Sequence, residues 1–94
     1  MDQRFPEIHY AIAPEIRAAL LVWINEGHLP GDFLQSVLRN DLAGAVTRAD
    51  PFNLATLREI VWFLQMEAPS PCWGSAENVQ AWAAHKEQER GGLA

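Results

Sequence analysis

Prolines, glycines and asparagines cut this chain into short segments, and that punctuation constrains its fold more than any other feature. Prolines stand at 6, 14, 30, 51, 69 and 71, with glycine or asparagine at 27, 31, 40, 74, 91 and 92. Between them apolar residues recur at the three- and four-residue spacing of a helix face, and no period of two lasts long enough for a strand. No stretch repeats at a period of roughly 20 to 50 residues, which sets solenoids aside. The pattern predicts an all-α fold, a compact bundle of about five short helices joined by short connections.

Residues 1–13 carry no sustained period and read as an irregular arm, with Phe5, Ile8 and Tyr10 available for packing. Pro14 suits a first helical turn, so a helix is expected over 14–26 with Ile16, Leu20, Trp23 and Ile24 on one face and Gly27 as its left-handed stop. Phe33, Leu34, Val37 and Leu38 place a second over 31–39, closed by Asn40-Asp41; Leu42, Ala45 and Val46 begin a third that ends near Arg48. A single helix kinked through Asn40 competes with that reading. Asp50-Pro51 is the strongest start signal, a carboxylate cap followed by a ring that presets φ, and opens a fourth helix over 51–67 with Leu54, Leu57, Ile60, Val61 and Leu64 inward. Pro69 and Pro71 stop it. Ser75 caps a fifth over 76–89, whose narrow stripe of Val79, Trp82 and Ala83 predicts a surface helix docked on one side, and residues 90–94 read as a frayed tail.

With 94 residues the expected organisation is one domain over 1–94, and 49% hydrophobic content with four Trp and four Phe fills a core without metal or disulfide staples. The lone Cys72 pairs with nothing inside the chain and no signal peptide opens it, so a reducing cytoplasm is the expected compartment. The longest apolar stretch, Ala18 to Ile24, is about a third of the roughly 20 residues a membrane helix needs. A formal charge of −5, with arginines scattered at 4, 17, 39, 48, 58 and 90, makes nucleic acid a poor partner; it permits attraction to a basic protein surface, and solubility alone also accounts for it.

Residues able to carry chemistry do not converge in the sequence. His9, His28 and His85 lie far apart with no ligand spacing, so no metal is expected. Asp32, Asp41 and Asp50 each sit beside a helix start, where capping accounts for them. No phosphate-cradling glycine loop is present, and no cofactor is expected. Cys72 becomes a nucleophile only with a base or helix terminus to lower its pKa; the helix after Ser75 offers the terminus, while no base is placed beside it, and half-buried packing is the expected role. The expectation is a chain without enzymatic activity.

Apolar residues, by contrast, are in surplus. In the fourth helix Trp62 and Met66 point away from the stripe of Leu57, Val61 and Leu64, and in the first Leu21 and Val22 point away from Leu20 and Ile24. Helices apolar all round are usually central, so these two are expected at the middle of the bundle. Otherwise their second faces form an interface with a second copy or a foreign partner at Trp62, Phe63 and Met66. Trp73, beside Gly74 in a loop, is either a plug over its own core or a presented anchor.

The segments Leu29-Pro30-Gly31-Asp32-Phe33-Leu34, Val37-Leu38-Arg39-Asn40-Asp41-Leu42, Arg48-Ala49-Asp50 and Pro69-Ser70-Pro71-Cys72-Trp73-Gly74-Ser75 resemble small proteins encoded in bacteriophages and prophages. Those read PPGxFLxAVLxNDL, RAD and APSxxWGS. The likeness spans about residues 14 to 84, and Leu29 and Asp32 depart from the Pro and Gly commonest there. It implies a phage context in a bacterial host cell more than a mechanism, the family having no assigned enzyme activity. By analogy with anti-CRISPR proteins it implies a role in binding and inhibiting a host protein. The combined expectation is an acidic protein-binding module with partner residues Trp62, Phe63, Met66 and Trp73; a helix-turn-helix regulator built on the second and third helices is the alternative.

Overall fold

The computed structural model describes residues 12–91, so the expected packing of Phe5, Ile8 and Tyr10 lies outside the described residues. Helix α1 runs Pro14–Glu26, with Pro14 in its first turn and the Ala13 carbonyl accepting the N–H groups of Ile16 and Arg17 at 3.0 Å. Gly27 ends it at φ 75°, as its position predicts. A Cβ there would stand 2.5 Å from the Cβ of Lys86, so the site needs glycine for conformation and for space.

Helices α2 (Asp32–Leu38) and α3 (Leu42–Arg48) are separate, which decides against one kinked helix. Asn40 takes φ 62°, and the Asp41 N–H bonds back to the Ser36 carbonyl at 2.8 Å, closing α2 with a left-handed residue. Asp41 then caps α3, its carboxylate accepting the Gly44 N–H at 3.0 Å. Four apolar residues of α2 are buried as expected, together with Ser36, whose hydroxyl meets the Arg48 guanidinium at 3.2 Å.

The expected helix over 51–67 is two helices, α4 (Pro51–Ala55) and α5 (Leu57–Glu67). Asp50 caps the first through the Asn53 N–H at 2.7 Å. Thr56 interrupts at φ −108°, ψ 15°, where its N–H and its hydroxyl both bond the Phe52 carbonyl. A β-branched residue that bonds back to its own preceding turn competes with helix propagation, which is the physical reason for the break. The inward face over 54–64 is corrected accordingly: Ile60 and Leu64 are wholly buried and Leu57 packs on the core, while Leu54 and Val61 are exposed.

After α5 the prolines impose an extended turn, and a 3₁₀ turn, Ser70–Cys72, leads to α6 (Ala76–Gly91), capped by the Ser75 hydroxyl on the Asn78 N–H at 3.0 Å. Helix α6 outruns its expected end at 89. Arg90 and Gly91 are helical rather than frayed, and Arg90 donates to the Glu26 carbonyl at the end of α1. Residues 92–94 lie outside the described residues. Val79 is buried, with Trp82 and Ala83 half-buried beside it, so α6 docks by one side as its narrow stripe predicts. The amine of Lys86 lies 5.1 Å from the centre of the Trp82 ring, a cation over an aromatic face.

No strand occurs among the described residues, and the structure is an all-α bundle. Its core gathers Ile12, Leu20, Trp23, Leu38, Ile60 and Leu64, all fully sealed. The first and fourth predicted helices are not buried all round, however. Leu21 and Val22 on α1, and Val61 and Met66 on α5, face outward, because α1 and α5 are each covered on one side only.

Candidate functional site

Polar chemistry converges on one point, the loop of residues 69–75, and it is structural. Trp23, wholly buried, donates its indole N–H to the Cys72 carbonyl at 3.0 Å across 49 residues of sequence. The Trp82 indole donates to the Trp23 carbonyl at 3.2 Å, the Gly74 N–H to the Leu38 carbonyl at 2.7 Å, and the Asn78 amide to the Trp73 carbonyl at 2.8 Å. The bonds to the Cys72 carbonyl, the Gly74 N–H and the Trp73 carbonyl satisfy backbone groups that the proline-rich loop does not pair with itself, while the Trp82 indole ties α6 to α1. Cys72 sits inside this network, fully buried, and burial pushes its thiol up to about 11, against the weaker opposing effect of its hydrogen bonds. Thiolate is therefore scarce at neutral pH, and the condition for nucleophilic use of Cys72 is not met by its surroundings.

The histidines stay local. His85 pairs with Glu89 at 3.0 Å and His28 with Glu26 at 3.5 Å, both on the surface, and His9 lies outside the described residues. No group of three or more His, Cys, Asp or Glu that could hold a metal ion occurs among the described residues. None of the helices among them is long and apolar enough to cross a membrane.

The four sequence-derived partner residues are placed on two surfaces. Phe63 is half-buried and lines a groove of about 250 Å³ between α1 and α5, with Leu21 and Ile24 opposite and Arg17 and Glu67 as its charged members. Phe63 and Glu67 each already hold an interaction. Met66 is 44% exposed, and Trp62 is half-buried with its indole N–H out of solvent and without a partner among the described residues. Trp73 is on the other surface. It packs against the core and also lines a second cleft, so it combines the plug and the presented edge.

That second cleft lies between α3 and α5. Val37 and Ala45 form its floor, Leu57, Val61 and Trp73 one wall, and Leu42 with Asn40 and Asp41 the other, around a hollow of about 50 Å³. Leu42 is 70% exposed, more than any other large apolar residue described. Val46, one turn further along α3, is 41% exposed, and Leu54, three residues before Leu57, is 46% exposed. Sequence reasoning placed Leu42 among the apolar residues that start α3 and Leu54 and Val61 on an inward face; it did not single out any of them as a contact residue. The signal that could have found Leu42 is the brevity of α3, since seven residues make only two turns and Leu42 stands in the first, ahead of the turn that meets the core through Ala45.

No family model, no curated protein and no solved structure matches this chain.

Proposed function

We propose that this chain is a non-enzymatic protein-binding module that engages a polypeptide through the α3–α5 face, with Leu42, Val61 and Trp73 as its apolar centre. The observation that carries this reading is Leu42, set in water beside a hollow whose floor and α5-side wall are apolar. Val61 on the facing wall is exposed as well, and Val46 is exposed one turn beyond Leu42 on the same helix. The hollow itself is far below the roughly 300 Å³ of a small-molecule pocket and fits the end of one aliphatic side chain.

The motif resemblance supports a phage accessory role in which the bound polypeptide is a host protein and binding inhibits it, in the manner of an anti-CRISPR protein, in the cytoplasm of the bacterial host. The acidic balance supports a partner with basic residues around its contact patch. Met66 and Trp62 on the opposite side of α5 provide a second, smaller patch.

The test is affinity capture from host lysate at low and high salt with wild type, Leu42→Asp and Met66→Ser. The expected result is a captured protein that Leu42→Asp no longer retains and Met66→Ser does. Equal capture by wild type and Leu42→Asp would remove the α3–α5 face from the reading.

A further inference from the structure

We infer that residues 1–11 of this chain, which precede the described residues, seat as an extended arm in the groove between α1 and α5. The α3–α5 face has no part in this. The groove is lined by Arg17, Leu21 and Ile24 on α1 and by Phe63 and Glu67 on α5, around about 250 Å³. That volume is short of the roughly 300–1,000 Å³ of a small-molecule pocket. Leu21 is half exposed in it, and Met66, beyond Phe63 on the same side of α5, is exposed as well.

The point where the chain enters the bundle brings the arm to the edge of this groove. Ile12 is wholly buried, Ala13 nearly so, and the chain bends at Ile12 before Pro14 opens α1. Arg17, one end of the α1 wall, stands in the first turn of that helix, so the arm leaves the core close beside it. From Arg17 to Ile24 the wall is about 10 Å long at 1.5 Å per residue, whereas eleven extended residues reach up to about 36 Å. The arm spans the groove with length to spare. Held in the core at one end, it meets the groove at an effective concentration on the order of millimolar, which a second copy or a free polypeptide has to match.

The sequence of the arm fits the lining. Alternate residues of an extended chain share a side, so Ile8 and Tyr10 fall on the side of Ile12, the side already sealed in the core. Pro6 favours extended backbone at Phe5, a third apolar group for the stripe of Leu21, Ile24 and Phe63. Two N–H donors also give the arm's backbone a use. The Arg17 Nε and the Trp62 Nε1 are shut off from water with no hydrogen-bond partner among the described residues. Trp62 lies about 160° around α5 from the core-facing Ile60, at 100° per residue, so the core is not what encloses it. Met66 stands between Phe63 and Trp62 around the helix, which continues the groove toward that donor. Helix carbonyls are already paired along their own ladder, whereas an extended segment offers a free one at every residue.

Two measurements on the full chain test the seat. Trypsin cutting of the Arg4–Phe5 bond reads whether the arm is held. Wild type is expected to be cut at least ~10-fold more slowly than a free peptide of residues 1–11, because the seated arm must first open. Leu21→Asp, at an exposed site in the groove, and Ile8→Asp, in the arm, are each expected to remove most of that protection with an unchanged helical spectrum. Proton–proton contacts by NMR read where the arm lies, and are expected from Ile8 and Tyr10 to Leu21, Ile24 and Phe63. Cutting of wild type as fast as the free peptide, protection indifferent to both variants, or arm contacts with Leu42 and Val61 in place of the groove would overturn the inference. Protection that appears only as the protein concentration rises would overturn it too, and would give the groove to a second copy.

Discussion

Two tryptophans, Trp23 and Trp73, stand in neighbouring parts of this small bundle under opposite conditions. Trp23 is sealed, its indole N–H bonded to Cys72 and its carbonyl shared by Gly27 and Trp82, so that every polar group it brings inside is matched. Trp73 reaches the same core but keeps one edge in a cleft whose far wall is a leucine 70% in water. The difference lies in the elements around them. Trp23 is enclosed by long helices and by the 69–75 loop, whereas α3, only seven residues long, packs chiefly on α2 and leaves its first turn uncovered. An apolar residue is buried by what covers it, and a two-turn helix cannot be covered on both flanks by a single neighbour.

Substitutions should therefore divide sharply between the two regions. The largest effect is expected for Trp23→Ala, which empties the core and strands the Cys72 carbonyl; urea denaturation should show a loss of about 3–5 kcal/mol, or no cooperative transition at all. Next comes the buried thiol. Cys72 titrates near 11 in the folded protein, above the ordinary 9.0, so its contribution is complete below pH 9 and is lost as pH rises toward 11. Stability should fall by up to about 2 kcal/mol across that window, and Cys72→Ala should lose the alkaline slope while staying weaker at neutral pH. A pH-independent wild type between 9 and 11 would show that the thiol is reached by solvent.

Gly27→Ala follows, at about 1–2 kcal/mol in a thermal or urea melt, since a left-handed φ and the Lys86 side chain both oppose a methyl group. Asp50→Ala is expected to cost about 1 kcal/mol by the same measurement and Asp50→Asn almost nothing, because the role is that of a cap. Leu42→Ser is the smallest, within about 0.5 kcal/mol for the monomer, and this is the sharpest test of the contrast. A cost of several kcal/mol there would place Leu42 in the core and dissolve the distinction between sealed and open regions.

Much of the fold was legible because its signals are local. Pro14, Asp41, Asp50, Ser75 and Gly27 act on backbone groups within a turn of themselves, and each ends or starts a helix where its chemistry says it should. The break at Thr56 was not legible, since a threonine inside an apolar helical pattern breaks it only when its hydroxyl turns back to the preceding carbonyl, a rotamer choice made after folding. Faces were legible where a long partner covers them, as at Leu20 and Ile60, and misleading at Leu54 and Val61, where periodicity marks a side as apolar but says nothing of whether a neighbour lies against it. Trp73 was legible as a plug or a presented anchor, but not as one ring that packs on the core and also lines a cleft. The exposure of Leu42 left only an indirect trace, the brevity of α3, since the local pattern does not say which neighbour covers its first turn.

The pairing of Trp23 with Cys72 also fixes an order of events. Its two partners are separated by more than half of the chain, and Gly74 closes on Leu38 from the same loop. A nascent chain that has delivered only its first half holds the donor indole and the Leu38 carbonyl with nothing yet made to receive or meet them. Short helices of this kind form and dissolve quickly on their own, but consolidation waits until the 69–75 loop has left the ribosome. Assembly of this bundle therefore waits on the 69–75 loop, and truncations that remove that loop should abolish cooperative folding rather than shave it turn by turn.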